Sequence, residues 1–403
     1  MLAAACANQQ GSPGQGGSAS VPKNTLPAGG IAPSGGAPLP VQADDQIRIG
    51  FLAPLSGPQE SVGKALLNAA QMAVFDQPRA RLVLLPRDTA GRADGAAAAA
   101  NAAAVEGAVL LVGPLFAEST RAATPVARSR GIGVISFSSN SEVAGNGVYI
   151  LGFTPGEQAE RIVRHAVQAG LNRIAVLAPD NAYGTTVVQG AQRAAGQLGA
   201  TIAQTELYRP DGASIPEAVA TLAGSSAGAA GLAPDAILIA DGGERLRLIA
   251  RSLKSPTAPA AGGTAPAAST ARLLGTGLWD DPGLQREQAL LGGWFATAPP
   301  DLAASFAQRY SAVYGEEPPK VAALAYDAVA LAAALAQRPQ TSPGEKFSRL
   351  ALEDPEGYVG YGGIFRLNPN GTAERGLAVL EVTPNGFLTV APPPERFTTP
   401  AGS

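Results

Sequence analysis

The sequence predicts an α/β protein of two similar lobes, each a parallel sheet covered by helices on both faces. Short apolar runs without polar alternation, such as Ile47–Ala53, Ala108–Val112 and Ala236–Ala240, read as strands buried on both sides. Helical stretches of roughly 10–18 residues separate them, the arrangement of right-handed crossover units. The alternation falls into two blocks, roughly 47–152 and 155–296, which suggests two like lobes.

Each element has its own local reason. Ile47–Ala53 is followed by the turn Pro54-Leu55-Ser56-Gly57-Pro58. Ser61 opens a helix whose apolar positions Leu66, Leu67, Ala70, Val74 and Phe75 recur at three- and four-residue spacing, and Pro78 ends it. Arg81–Pro86 is the next strand, and Asp88, Gly91 and Asp94 mark a turn before an alanine-dense helix over 95–106. Strand 108–112, helix 118–130 and strand 132–136 follow. The second block places a helix at 156–169, a strand at 173–178, a helix at 183–198, a strand at 236–240 and a helix at 243–253. Residues 255–270 are Pro, Ala and Gly without periodicity and read as a flexible insertion. Helices are expected at 302–314 and 321–336, and short antiparallel strands over 363–390, with Asn368-Pro369-Asn370-Gly371 as a turn.

Composition limits the function classes. Lys+Arg 29 against Asp+Glu 32 gives a net charge of −3, which offers no electrostatic case for nucleic acid. With 46% hydrophobic residues the chain can fill a sizeable core. One cysteine and one histidine exclude a disulfide framework and argue against a Cys/His metal site, so no metal and no cofactor is expected. No apolar run is long enough to span a bilayer.

Three enzyme-like signals lead nowhere. Gly57 to Lys64 follows a strand and opens a helix as a phosphate loop would, but its spacing is one residue too long and Ala65 replaces the hydroxyl residue that holds magnesium. Gly224-Ser225-Ser226-Ala227-Gly228 fits G-x-S-x-G, but it follows a helix and no histidine lies beyond it, so it reads as a loop. His165 is a lone histidine on a helix, a surface or boundary position. The chain is therefore not expected to be an enzyme.

Open parallel sheets bind ligands beyond the carboxyl ends of their strands. The loops there are 54–58, 113–120, 137–141, 180–184, 241–244 and 277–281. Their hydroxyl residues and helix N-terminal amides suit a carboxylate. Asp241 or Asp280 would meet an ammonium, and Tyr183 and Trp279 would stack on or cap a ligand. Against this stand ordinary roles: Ser and Asp as N-caps, and Trp279 as core.

Ile49 to Pro58, then Gly63, then a strand ending in Asp88, resembles the start of type I periplasmic binding proteins of the leucine/isoleucine/valine-binding group. Val112-Gly113-Pro114, Ser119-Thr120, Ile135-Ser136 and the Asp180-x-x-Tyr183-Gly184 pattern extend the resemblance over about 45–395. It implies two Rossmann-like lobes joined by a three-crossing hinge near Phe153, 296–299 and 360–363. Lobe one would be 45–152 plus 298–360, and lobe two 153–297 plus 361–395. The ligand would lie between closing lobes, with Ser56, Phe116, Ala117, Ser138, Ser139, Asn140, Tyr183, Asp241, Trp279 and Asp280 as its contacts. The sequence departs from amino-acid binders in three places. Ala240-Asp241 stands where they carry an aromatic, Gly277-Leu278 where they carry the ammonium-binding glutamate, and the aromatic near Val62 is absent.

The resemblance implies an extracytoplasmic solute-binding lipoprotein, capturing an amino acid or similar small polar ligand for the permease of an ABC importer. A second family shares the domain: lipoproteins that activate penicillin-binding proteins carry a G-P-L motif like Gly113-Pro114-Leu115, and that reading makes the partner a penicillin-binding protein. Leu2-Ala3-Ala4-Ala5-Cys6 resembles a lipobox, so 1–6 reads as a lipoprotein signal remnant with Cys6 as the lipidation site. Residues 7–44, rich in Gly, Pro and Ser, read as a disordered linker. The expected location is the periplasm, lipid-anchored to the cell envelope.

Overall fold

The computed structural model describes residues 46–227, 233–254, 269–339 and 343–397. The expectations for Cys6, for the linker and for most of the insertion at 255–270 lie outside these residues. The first lobe opens with β1 (Ile47–Ala53), α1 (Glu60–Asp76), β2 (Leu82–Asp88), α2 (Ala93–Val105), β3 (Leu110–Val112), α3 (Ala117–Ser129), β4 (Gly133–Ser136) and β5 (Val148–Ile150). Its sheet runs β2-β1-β3-β4-β5 with every pair parallel. The second lobe follows with α4 (Pro155–Gln168), β6 (Arg173–Pro179), α5 (Ala182–Leu198), β7 (Thr201–Tyr208), α6 (Ile215–Ala227), β8 (Ala236–Ile239), α7 (Gly243–Lys254), β9 (Arg272–Gly275) and β10 (Trp294–Thr297). Strands β7-β6-β8-β9-β10 repeat the order of the first sheet, again in parallel. The two-lobed α/β architecture is thus the one read from the sequence.

The chain then returns. α8 (Pro300–Tyr314) and α9 (Ala322–Ala336) put Phe306, Tyr310 and nearly all of α9 into the first core, against α1. α10 (Pro343–Lys346), α11 (Arg349–Leu352) and a three-stranded antiparallel sheet of β11 (Tyr358–Gly360), β12 (Gly363–Leu367) and β13 (Ala373–Arg375) follow. Finally β14 (Ala378–Thr383) pairs antiparallel with β10, and β15 (Gly386–Ala391) pairs with β14.

Three details differ from the sequence reading. β7 was not foreseen because it alternates exposed and half-buried residues along a sheet edge, unlike the apolar runs of the interior strands. α6 continues through Gly224–Ala227, where a loop was expected. Phe365, Leu367 and Ala373, expected in lobe two, belong to the first core, while Ala378 and Leu380 belong to the second. The backbone therefore crosses for the last time after Arg375, because β12 and β13 bury their apolar faces under α9's lobe before β14 leaves.

The two lobes share one packing device. A Cβ on Gly63 would lie 1.9 Å from the Pro54 carbonyl oxygen, and one on Gly184 would lie 1.9 Å from the Pro179 carbonyl oxygen. In both cases the first turn of the helix after the lobe's first strand sits directly on that strand's carboxyl end, which only glycine permits. This accounts for Gly63 without a phosphate. His165 stacks edge-on against Trp294 at 4.7 Å, a half-buried boundary role.

Candidate ligand-binding cleft

The carboxyl ends of the parallel strands carry the loops named above, so the topology places Ser56, Phe116 and Ser138 at one end of the first sheet and Tyr183, Asp241 and Asp280 at the matching end of the second. Asp88 organises the first loop. Its carboxylate accepts hydrogen bonds from the Leu55 and Ser56 amides, the Ala90 amide and the Ser56 hydroxyl, and these bonds hold it below the usual carboxylate range although burial acts the other way. Ser56 is thus positioned by Asp88.

α3 begins at Ala117 after Phe116, and no side chain caps it. Its first amides are open at the sheet end, with half-buried Phe116 beside them and beside Gly91. Thr120 and Ser136 are buried and bonded to each other at 2.7 Å, and Ser136 also reaches the Pro114 carbonyl and the Ser138 amide. Ser138 is buried and accepts from the Asn140 amide, Asn140 caps the short turn at 141–143, and Ser139 is exposed between them.

In the second lobe the Tyr183 hydroxyl bonds Thr276 at 2.7 Å, and burial pushes the phenol up to about 12. Asp241 is buried and fully engaged: Arg245 donates to it at 2.7 and 3.2 Å, the Gly242 amide at 2.7 Å, and the Tyr208 hydroxyl also. Asp280 accepts from Lys320 at 2.7 Å and from Thr297 at 3.2 Å. Lys320 precedes α9 and so belongs to the first lobe, which makes this pair a bridge between the lobes beside the second crossing.

The hinge is tied by buried charge. Arg375, at the end of β13, donates to the Leu151 and Gly362 carbonyls and lies 4.3 Å from the Phe153 ring centroid. Asp327 on α9 accepts from the Tyr361 and Gly362 amides at 2.7 and 2.8 Å, and burial pushes it up to about 6. Glu157 on α4 accepts from Thr154, its Oε1 is enclosed without a partner, and burial pushes it up to about 7 against the attraction of Arg375.

A family model described as periplasmic binding protein matches residues 46–386. The chain belongs to the periplasmic binding protein family. Among solved structures similar to this periplasmic binding protein, a candidate branched-chain amino acid ABC transporter of Rhodospirillum rubrum is 20% identical with a TM-score of 0.72, covering 86% of this chain and 100% of that one. The leucine-binding protein LivK of Thermotoga maritima is 22% identical with a TM-score of 0.56, over 86% of this chain and 98% of its own. A solute-binding protein of an ABC transporter from R. palustris, in complex with benzoate, is 16% identical with a TM-score of 0.58, over 88% and 98%. At these identities the likeness establishes the fold. The uncharacterized protein RP748 of Rickettsia prowazekii is 25% identical over 181 residues, 45% of this chain and about half (48%) of that relative's length.

Within a periplasmic binding protein, three of the expected contacts are placed otherwise. Trp279 has no exposed surface and sits in the second core, against Gly275 and 6.4 Å from Phe295, so it caps nothing. Its register was misread because the residue after the Gly277 turn points back under the sheet. Asp241 and Asp280 are already neutralised by Arg245 and Lys320, so neither is a free ammonium partner. Two groups were missed. Lys320 lies in a turn whose Glu-Glu-Pro-Pro-Lys sequence carries no motif, and Asp180 was named only as a loop start. Asp180 opens the loop after β6 and is exposed, with no side-chain partner among the described residues.

Proposed function

We propose that this periplasmic binding protein captures a small carboxylate-bearing solute between its lobes for an ABC importer. The observation that carries the reading is the uncapped N-terminus of α3 beside Phe116, at the ligand end of the first sheet. Open first-turn amides and the positive end of the helix favour an anion there. Phe116, Ala117, Ser139 and Asn140 supply the first-lobe contacts in this reading, and Tyr183 the second-lobe one. The α-ammonium of an amino acid is dispensable, because Asp241 and Asp280 are spoken for; Asp180 is the carboxylate that remains to meet one. Leucine and benzoate, bound by structurally similar proteins, bracket the two cases. A lipid anchor at Cys6 belongs to the same proposal, and the mass of the membrane-extracted protein checks it.

The test is a thermal-shift series with leucine, benzoate and counterparts that lack the carboxylate, isoamylamine and benzyl alcohol. A bound carboxylate at a hundredfold its Kd stabilises the fold by about 2.7 kcal/mol. A shift with at least one carboxylate and none with its counterpart supports the reading. Equal shifts with and without the carboxylate refute it.

A further inference from the structure

The amino-terminal end of the first sheet, opposite the cleft, is chemically unlike the rest of the surface. Around it Arg48, Arg79, Arg128 and Arg130 are exposed and have no ion pair or side-chain hydrogen bond among the described residues. The acids of this pole are engaged: Glu106 with Arg87, Glu353 with Arg349 and Asp354 with Arg338. Glu356 has no opposing charge among the described residues. The pole is thus strongly positive on a chain whose net charge is −3. It also presents apolar tips, with Leu350 89% exposed, Phe75 78% and Val105 66%. A groove of about 600 Å³ also opens at this pole, lined by Val109, Ile132, Phe347 and Leu352 together with Arg128 and Arg130.

Separated apolar tips at the same end of the sheet as unpaired arginines match an interface where acyl chains lie under anionic headgroups. Long arginine stems let the guanidinium groups reach the phosphates while the tips enter the apolar layer. An acidic protein partner would need contiguous apolar area or paired counter-charges, and the tips here are scattered. The chain enters β1 from this same pole, and the cleft loops leave the sheet at the opposite end.

We infer that this pole of the first lobe is a docking surface for a membrane containing anionic phospholipid. Occupying it leaves the cleft open, so the inference stands or falls apart from the solute reading.

The experiment uses the full chain carrying Cys6→Ser, so that no acyl group contributes, sedimented with vesicles of phosphatidylcholine alone or with about one-third phosphatidylglycerol. Binding to the anionic vesicles alone, lost at high salt, is expected. Arg128→Ala with Arg130→Ala lowers the partition coefficient roughly twenty-five-fold, taking about fivefold per arginine, and Leu350→Ala lowers it further. Circular dichroism and melting temperature unchanged from the parent show that the variants fold. No sedimentation with anionic vesicles, equal sedimentation with neutral ones, or an arginine variant that binds like the parent overturns the inference.

Discussion

Replacing Glu157 by glutamine makes the hinge report on its own electrostatics. In the folded protein burial raises this carboxyl from 4.5 to about 7, a difference of 7 − 4.5 = 2.5. A carboxyl raised on folding stabilises the protein below its unfolded value and loses that contribution as the pH rises through the folded one. The whole loss approaches roughly 3 kcal/mol at 1.36 kcal/mol for each step of one. Between pH 5 and pH 8 it amounts to about 2–3 kcal/mol, an upper figure because the residue as a whole is only partly buried. Glutamine keeps the partner of the Thr154 hydroxyl but has no proton to lose. Urea unfolding of both proteins at pH 5 and pH 8 therefore shows the parent losing about 2–3 kcal/mol more than E157Q over that interval. Asp327, raised to about 6 from 3.8, contributes its own decline in both proteins and cancels in the comparison. Identical pH slopes would refute the reasoning, because they would mean that the carboxyl is as well hydrated in the fold as out of it.

Other substitutions probe other ties. Arg375→Ala removes the cation facing Glu157 and Asp327 and should lower stability by about 3–5 kcal/mol in urea at pH 8, less at pH 5 where the carboxyls take up protons. Asp241→Asn weakens the Arg245 and Tyr208 bonds and should lower stability by about 1–3 kcal/mol; full stability with abolished solute binding would contradict its structural role. Gly275→Ala places a Cβ 2.2 Å from the Trp279 ring, so we expect a loss of about 1–3 kcal/mol and a changed near-ultraviolet spectrum. An unchanged spectrum would mean that Trp279 has room to move.

The architecture was legible because interior strands such as β6 and β8 are continuous apolar runs, a signal that depends only on neighbours in the chain. The edge strand β7 was not, since its alternation reflects a boundary that only the assembled sheet defines. The loops at the carboxyl ends of the strands were legible by the same local logic. What their side chains do was not, because Lys320 and Arg375 act on partners far along the chain, while the Asp241–Arg245 pair, four residues apart, was legible and overlooked. Asp280 illustrates the limit: its partner Lys320 lies forty residues on, across the lobes. Trp279 shows the converse error, a residue with a suggestive address whose side chain faces the core.

The late return of β14 has a bearing on how the protein is made. The second sheet's inner strand β10 keeps an unpaired edge until residues 378–391 arrive, and those follow every other strand of that sheet in the chain. Until then that edge is open to pairing with another nascent chain. The first lobe has all its strands once Arg375 has been added and the second does not, so a chain cut short there would leave a complete first lobe carrying a second one with an exposed seam.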